Sequence, residues 1–193
     1  MERSDSPITL NGRSVRLLGK MAEVGDTAPD FIASDTDMSP VSFLSFRDRP
    51  CLITSVPSLG IEGCERYVRR LGRLASALPA HTWVLVISMD LPASLDRWRA
   101  AAGLRRLALL SDHRDADFGV TYGVLIKEVR LLAGSVFVVG RDGAVRYRDV
   151  PREALDAPDC VAAVRVLSSL AAGRDDARAP GPLAGAHGAQ PVT

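Results

Sequence analysis

Cys64 stands where a short apolar run, Leu52 to Val56, passes through a Pro- and Gly-bearing turn, Pro57 to Gly63, into an arginine-studded segment. Val68, Leu71, Leu74 and Leu78 recur there at three- and four-residue spacing while Arg66, Arg69, Arg70 and Arg73 take the other face, the period of an amphipathic helix. The pattern predicts a helix opening at Cys64, with the thiol in its first turn. Unpaired N–H groups and the helix macrodipole favour an anion at that place, so a thiolate is stabilised and can act as a nucleophile. Gly60 and Gly63 would let backbone N–H groups face it. A lone cysteine also serves as a small core hydrophobe. A strand, a turn and a helix in this order put the sulfur at the carboxyl edge of a sheet, where open α/β folds keep their sites, and that favours chemistry.

The elements that must hold this sulfur follow from periodicity. Ile8 to Leu10, Asn11-Gly12 and Arg13 to Leu17 read as a β-hairpin with a two-residue type I′ turn. Asp26 to Phe46, with Pro29 and Pro40, reads as loop with short extended pieces. Trp83 to Ser88 is an unbroken apolar run of strand length, as in a central strand covered on both faces. Pro92 to Ala102 follows as a helix with Pro in its first turn, Leu107 to Leu110 as a strand, and Ala116 to Val124 as a helical or irregular return. Ser135 to Val139, the turn Gly140 to Gly143 and Ala144 to Tyr147 form a second hairpin, and a closing helix spans about Pro158 to Ala172. The expected fold is α/β, with helices on both faces of a mixed sheet.

The turn and helix around Cys64 carry a resemblance. Pro57-Ser58-Leu59-Gly60-Ile61-Glu62-Gly63-Cys64 resembles the peroxidatic segment of peroxiredoxins: Pro, three residues, Thr or Ser, two residues, Cys. The branch it is similar to is that of the bacterial thiol peroxidases. Val24 to Phe31 is similar to the family's entry segment, Met89 to Pro92 to its strand end, and Leu132 to Asp142 to its late strand. The likeness runs from about Ile8 to Leu170. It implies a thioredoxin-like (peroxiredoxin) sandwich with an N-terminal β-hairpin, a hydroperoxide substrate, an external thiol reductant, no cofactor and a homodimer.

Three positions depart from the pattern. The family's threonine, which hydrogen-bonds the thiolate and the peroxide, falls on Ile61; its arginine, which holds the cysteine ionised, falls on Gly134; its resolving cysteine falls on Arg99. An adjacent cation lowers an acid's pKa by about 1–3 units, so its loss should return the Cys64 thiol toward that of a free thiol. Losing one preorganised donor costs about 10²–10³ in rate. Weak peroxidase activity is the expectation. Gly134 and Ile61 would also leave a larger, more apolar pocket, lined by Pro57, Gly60, Ile61, Gly63 and Gly134, suited to a small organic substrate. Against this, Arg99 or Arg130 could fold in and restore the charge.

Other chemistry finds little support. Cys51 and Cys64 should lie on the order of 15 Å apart, beyond the roughly 7 Å Cα limit of a disulfide, and Cys160 suits a packing role. No Cys-x-x-Cys occurs, so a redox cycle would use one cysteine. His81, His113 and His187 are scattered, without metal-site spacing, and Asp112, His113 and Asp115 read as a helix start or surface cluster. The chain has 193 residues and a net charge of +1, a balance that does not call for nucleic acid or a membrane surface. Neither a signal peptide nor a membrane span is read from it, which leads to a cytoplasmic expectation. Residues 1–172 make one domain and 173–193, rich in Gly, Ala and Pro, a disordered tail.

Three functions remain in view: a thiol-dependent enzyme repurposed toward a bulkier organic substrate, as in natural-product tailoring; a one-cysteine thiol peroxidase; and a binding or sensor protein without catalysis.

Overall fold

Alternation within the strands decides the layers. In Cys51–Ser55, Trp83–Ser88 and Ser135–Val139, the side chains of Leu52, Val84, Val86, Val136 and Val138 enter one apolar cluster, and those of Ile53, Leu85, Ile87, Phe137 and Val139 enter another. Successive Cβ atoms point to opposite faces of a strand, so a run that is apolar throughout needs cover on both sides. It has that cover here.

A computed structural model describes residues 8–173. In chain order the elements are β1 (Ile8–Leu10), β2 (Arg13–Val15), β3 (Leu17–Leu18), β4 (Ile32–Ser34), β5 (Pro40–Ser42), a 3₁₀ turn at Phe43–Phe46, β6 (Cys51–Ser55) and α1 (Glu62–Ala75). There follow β7 (Trp83–Ser88), α2 (Pro92–Ala102), β8 (Ala108–Ser111), α3 (Asp117–Thr121), β9 (Leu125–Ile126), β10 (Leu131–Leu132), β11 (Ser135–Val139), β12 (Val145–Asp149) and α4 (Cys160–Ala171). The main sheet has the order β12-β11-β6-β7-β8-β4-β5. Its centre, β6-β7-β8, is parallel, and β11, β12, β4 and β5 pair antiparallel at the flanks. The tail expected over 173–193 lies, from residue 174 on, outside the described residues.

One cluster joins the sheet to α1, α2 and α4 through Leu71, Leu95 and Leu167; the other joins it to α3 and the entry loop through Phe31, Phe43, Phe118 and Tyr122. Phe31 stacks on Phe43 at 5.4 Å and meets Phe118 edge-on at 5.0 Å. Asp112 belongs to a helix start: its buried carboxylate accepts the N–H groups of Phe118 and Gly119, and burial pushes it up to about 6.

The expected N-terminal hairpin is present, and it is fastened far along the chain. Glu153 accepts the Asn11 N–H at 2.8 Å, the Gly12 N–H at 3.2 Å and the Thr9 hydroxyl at 2.9 Å, so one carboxylate caps the turn. Thr9 and the 152–154 backbone exchange two further bonds of 2.7 Å. Ile8 thereby packs with Ala133 and Ala154, directly behind the start of β11.

Candidate active site

Two adjacent parallel strands end together. Ser55 closes β6 opposite Ile87 of β7, so the turn after β6 and the residues after β7 meet at the carboxyl edge of the sheet. Ser135, the first residue of β11, lies across from Ser55, which brings Gly134 to the same edge. Pro57, Gly60, Ile61, Gly63 and Cys64 lie on or just after one loop, with Gly134 beside it. The Ser55 hydroxyl bonds the Ala133 carbonyl at 2.7 Å and meets the Ser135 hydroxyl at 2.5 Å, tying the two strands at this point.

The helix begins two residues earlier than its apolar period indicates. Ile61 is the N-cap of α1, extended at φ −91° and ψ 122°, and supplies no side-chain bond to the helix amides. Cys64 is then the third residue of the helix, within the first turn as expected. One turn on, the Tyr67 hydroxyl meets the Thr54 hydroxyl at 2.9 Å, and Thr54 donates to the Ser135 carbonyl at 2.6 Å. These bonds pin the second turn of α1 against β6.

The sulfur is enclosed. Cys64 is 4% exposed, in the apolar cluster with Val56, Leu59 and Val68 and with Ile61 packed against it. Burial pushes its thiol above the ordinary cysteine value; the Ser58 backbone N–H acts against this, the charge of Asp90 adds to it, and the Cys64 N–H opposes it. The reading from sequence was a return toward a free thiol. The structure goes past that point, because burial in an apolar cluster and the charge of Asp90 both act against the thiolate.

Neither arginine fills that place. Arg99 pairs with Asp96 at 2.7 Å on the surface of α2, and Arg130 is exposed after β9. Among the described residues the charge that acts on Cys64 is Asp90.

The space expected beside Gly134 is occupied by backbone on its Cβ side. A Cβ built on Gly134 would lie 2.5 Å from the Asp156 carbonyl oxygen and 3.4 Å from that of Ala154, and the Gly134 N–H already donates to the Ala154 carbonyl at 2.9 Å. Backbone has moved in where a side chain would leave. Cavities do occur elsewhere: one lies at the end of α2, between Arg99 and Leu107, and another beside the Gly140–Asp142 turn. Adding a methyl group at Gly134 should therefore act as overpacking. Gly134→Ala is expected to lower stability by about 1–3 kcal/mol, seen as an earlier urea midpoint; an unchanged midpoint would mean that 154–156 gives way freely.

Gly60 and Gly63 play smaller parts than their spacing suggested. The Gly60 N–H donates to the Ser58 Oγ at 3.0 Å, and the amides that favour the thiolate are those of Ser58 and Cys64. Gly63 has open space around its Cα. Ser58 and Asp90 are the residues that the sequence reading passed over. An acidic residue two positions after the strand next to β6 was the available signal for Asp90.

Neither remaining cysteine is bonded to Cys64. All three are free; Cys51 is buried on the opposite face of the sheet from Cys64, and Cys160 opens α4 within the core. His81 and His113 stand apart from any group of three potential metal ligands among the described residues.

Comparison with known proteins places the fold and the loop in one context. The Redoxin family matches residues 23–164. The thiol peroxidase of Staphylococcus aureus (strain MRSA252) is 39% identical over 163 residues, covering 84% of this chain and 98% of that protein. The chain belongs to the thiol-peroxidase branch of the peroxiredoxins. The thiol peroxidase of Halalkalibacterium halodurans is similarly related, 41% identical over 162 residues, 84% of this chain and 97% of that one. A peroxiredoxin-like protein from Aquifex aeolicus superposes with a TM-score of 0.80 at 28% identity, over 88% of this chain and 99% of that chain. A thiol peroxidase from Chromobacterium violaceum gives 0.76 at 27% identity, over 85% and 96%. This thiol-peroxidase-like chain has the thioredoxin-like fold expected of it, and membership implies peroxidase-like chemistry with a hydroperoxide and a thiol reductant.

Proposed function

We propose that this thiol-peroxidase relative reduces hydroperoxides slowly through Cys64, with an external thiol as the final reductant. The enclosure of Cys64 beside Asp90, with no cation paired to it among the described residues, carries the reading. In the reaction, the Cys64 thiolate attacks the terminal peroxide oxygen, the O–O bond breaks, and the alkoxide leaves and takes a proton. Sulfur is oxidised to a sulfenic acid as the peroxide is reduced to alcohol. A small thiol then condenses with the sulfenic acid, releasing water and forming a mixed disulfide. A second thiol frees Cys64 and leaves as the disulfide of the reductant.

Arg99 stands at the family's resolving position, which supports resolution from outside the chain. A bulky organic substrate loses its main support with the filled space at Gly134, and tailoring of natural products finds none in the site or the relatives. A cytoplasmic setting, expected from the sequence, and a homodimer, implied by the family resemblance, belong to the same proposal. The structure adds that no described helix is long and apolar enough to cross a membrane.

A second reading, a binding or sensor protein on this fold, is favoured by the raised thiol and the 4% exposure of Cys64. One assay separates the two. With cumene hydroperoxide and dithiothreitol, consumption should fall to background in Cys64→Ser and persist in Cys51→Ser and Cys160→Ser. Equal rates in wild type and Cys64→Ser would leave only the non-catalytic reading.

A further inference from the structure

Asp90 accepts four hydrogen bonds at this edge of the sheet. It comes two residues after β7, and its Oδ1 accepts the Ser58 hydroxyl at 2.6 Å. Its Oδ2 accepts the Leu59 N–H at 2.7 Å and the Ser88 hydroxyl at 2.9 Å, and its backbone carbonyl accepts the Ser111 hydroxyl at 2.5 Å. Ser58 passes the restraint on, since its Oγ also accepts the Gly60 N–H. The whole turn between Pro57 and Ile61 hangs from one carboxylate.

We propose that Asp90 is the positioning residue of this site: by holding Ser58 and Leu59 it locks the turn that leads into α1 and so fixes the surroundings of the Cys64 sulfur. The turn presents the Ser58 N–H, which favours the thiolate, whereas the charge of Asp90 opposes it. The proposal rests on Cys64 as the reacting group and extends it to the residue that sets its environment. Several other charges on these elements are paired, while Arg70 of α1 acts on the Cys160 thiol. On the same helix Glu62 pairs with Arg66 and Glu65 with Arg69, and on α2 Arg99 pairs with Asp96. Asp156, behind Gly134, is exposed and meets the site through its carbonyl.

The two actions of Asp90 have opposite signs, so two substitutions can part them. In Asp90→Asn the amide oxygen can take the place of Oδ2, accepting from Leu59 and Ser88, while its NH₂ group donates to the Ser58 Oγ. The lock is rebuilt and only the charge is gone. In Ser58→Ala the charge stays and a strut of the lock is lost.

The readout is Cys64 ionisation itself, followed by thiolate absorbance near 240 nm against pH, with the spectrum of the same variant carrying Cys64→Ser subtracted. Asp90→Asn should move the midpoint down, raising the thiolate present at neutral pH on the order of tenfold. Ser58→Ala should move it up and lower that thiolate about threefold. Asp90→Ala, which loses lock and charge together, should titrate above Asp90→Asn. Shifts of the first two in the same direction, or no shift in either, would overturn the proposal. Should Asp90→Asn fail to fold, a Ser58→Ala midpoint that does not rise overturns it alone. Peroxide turnover plays no part in this titration, so the failure of peroxidase activity and the failure of the positioning role remain distinct results.

Discussion

Ile61→Thr is expected to raise the second-order rate at which Cys64 consumes hydroperoxide, on the order of 10²-fold at neutral pH. Ile61 is the N-cap of α1 and Cys64 the third residue of that helix, the relation in which a threonine oxygen accepts an N–H from the first turn. The hydroxyl hydrogen is then left to face the sulfur and the attacked oxygen, where charge develops as the O–O bond breaks. A cap is worth about 0.5–2 kcal/mol, set against the loss of the Ile61 methyl groups from the cluster around Cys64. Stability should therefore change little while the rate changes much. Stopped-flow measurement with cumene hydroperoxide decides it; a rate unchanged within threefold would show that the site lacks more than a hydroxyl.

The wild-type rate should climb about tenfold for each unit of pH from 7 upward, until the thiol is ionised. The sign follows from the site. Burial and Asp90 hold the Cys64 thiol above its ordinary value, against the pull of the Ser58 and Cys64 amides, so the reactive thiolate is the minor form at neutrality and gains population as protons are removed. A flat profile between pH 6 and 8 would mean a thiol already ionised, and with it a cation reaching the sulfur that the structure does not contain among its described residues. The same titration in Asp90→Asn should turn over at lower pH.

The core and the place of Cys64 in the first turn of a helix could be read directly from the chain. Trp83–Ser88, Pro92–Ala102 and Ser135–Val139 have the bounds their patterns indicate, because an apolar run between polar turns or a proline at a helix start is local information. The flanking strands β4 and β5 read only as short extended pieces of a loop, since three residues each give too little alternation to register. Cys64 was legible for the same local reason. Asp90 was not, because its meeting with Ser58 depends on β6 and β7 lying side by side, 31 and 32 residues apart in the chain at their contacts. The filling of the space beside Gly134 was further out of reach. It depends on a loop drawn in by the N-terminal hairpin through Glu153, more than 140 residues away.

That loop also limits what position 134 can carry. Any residue with a Cβ there would run into the Asp156 carbonyl. A larger side chain would require the 152–156 segment to shift, and that segment is anchored to Thr9, Asn11 and Gly12. The hairpin thus works as a brace, tying the tolerance of position 134 to contacts at the other end of the chain.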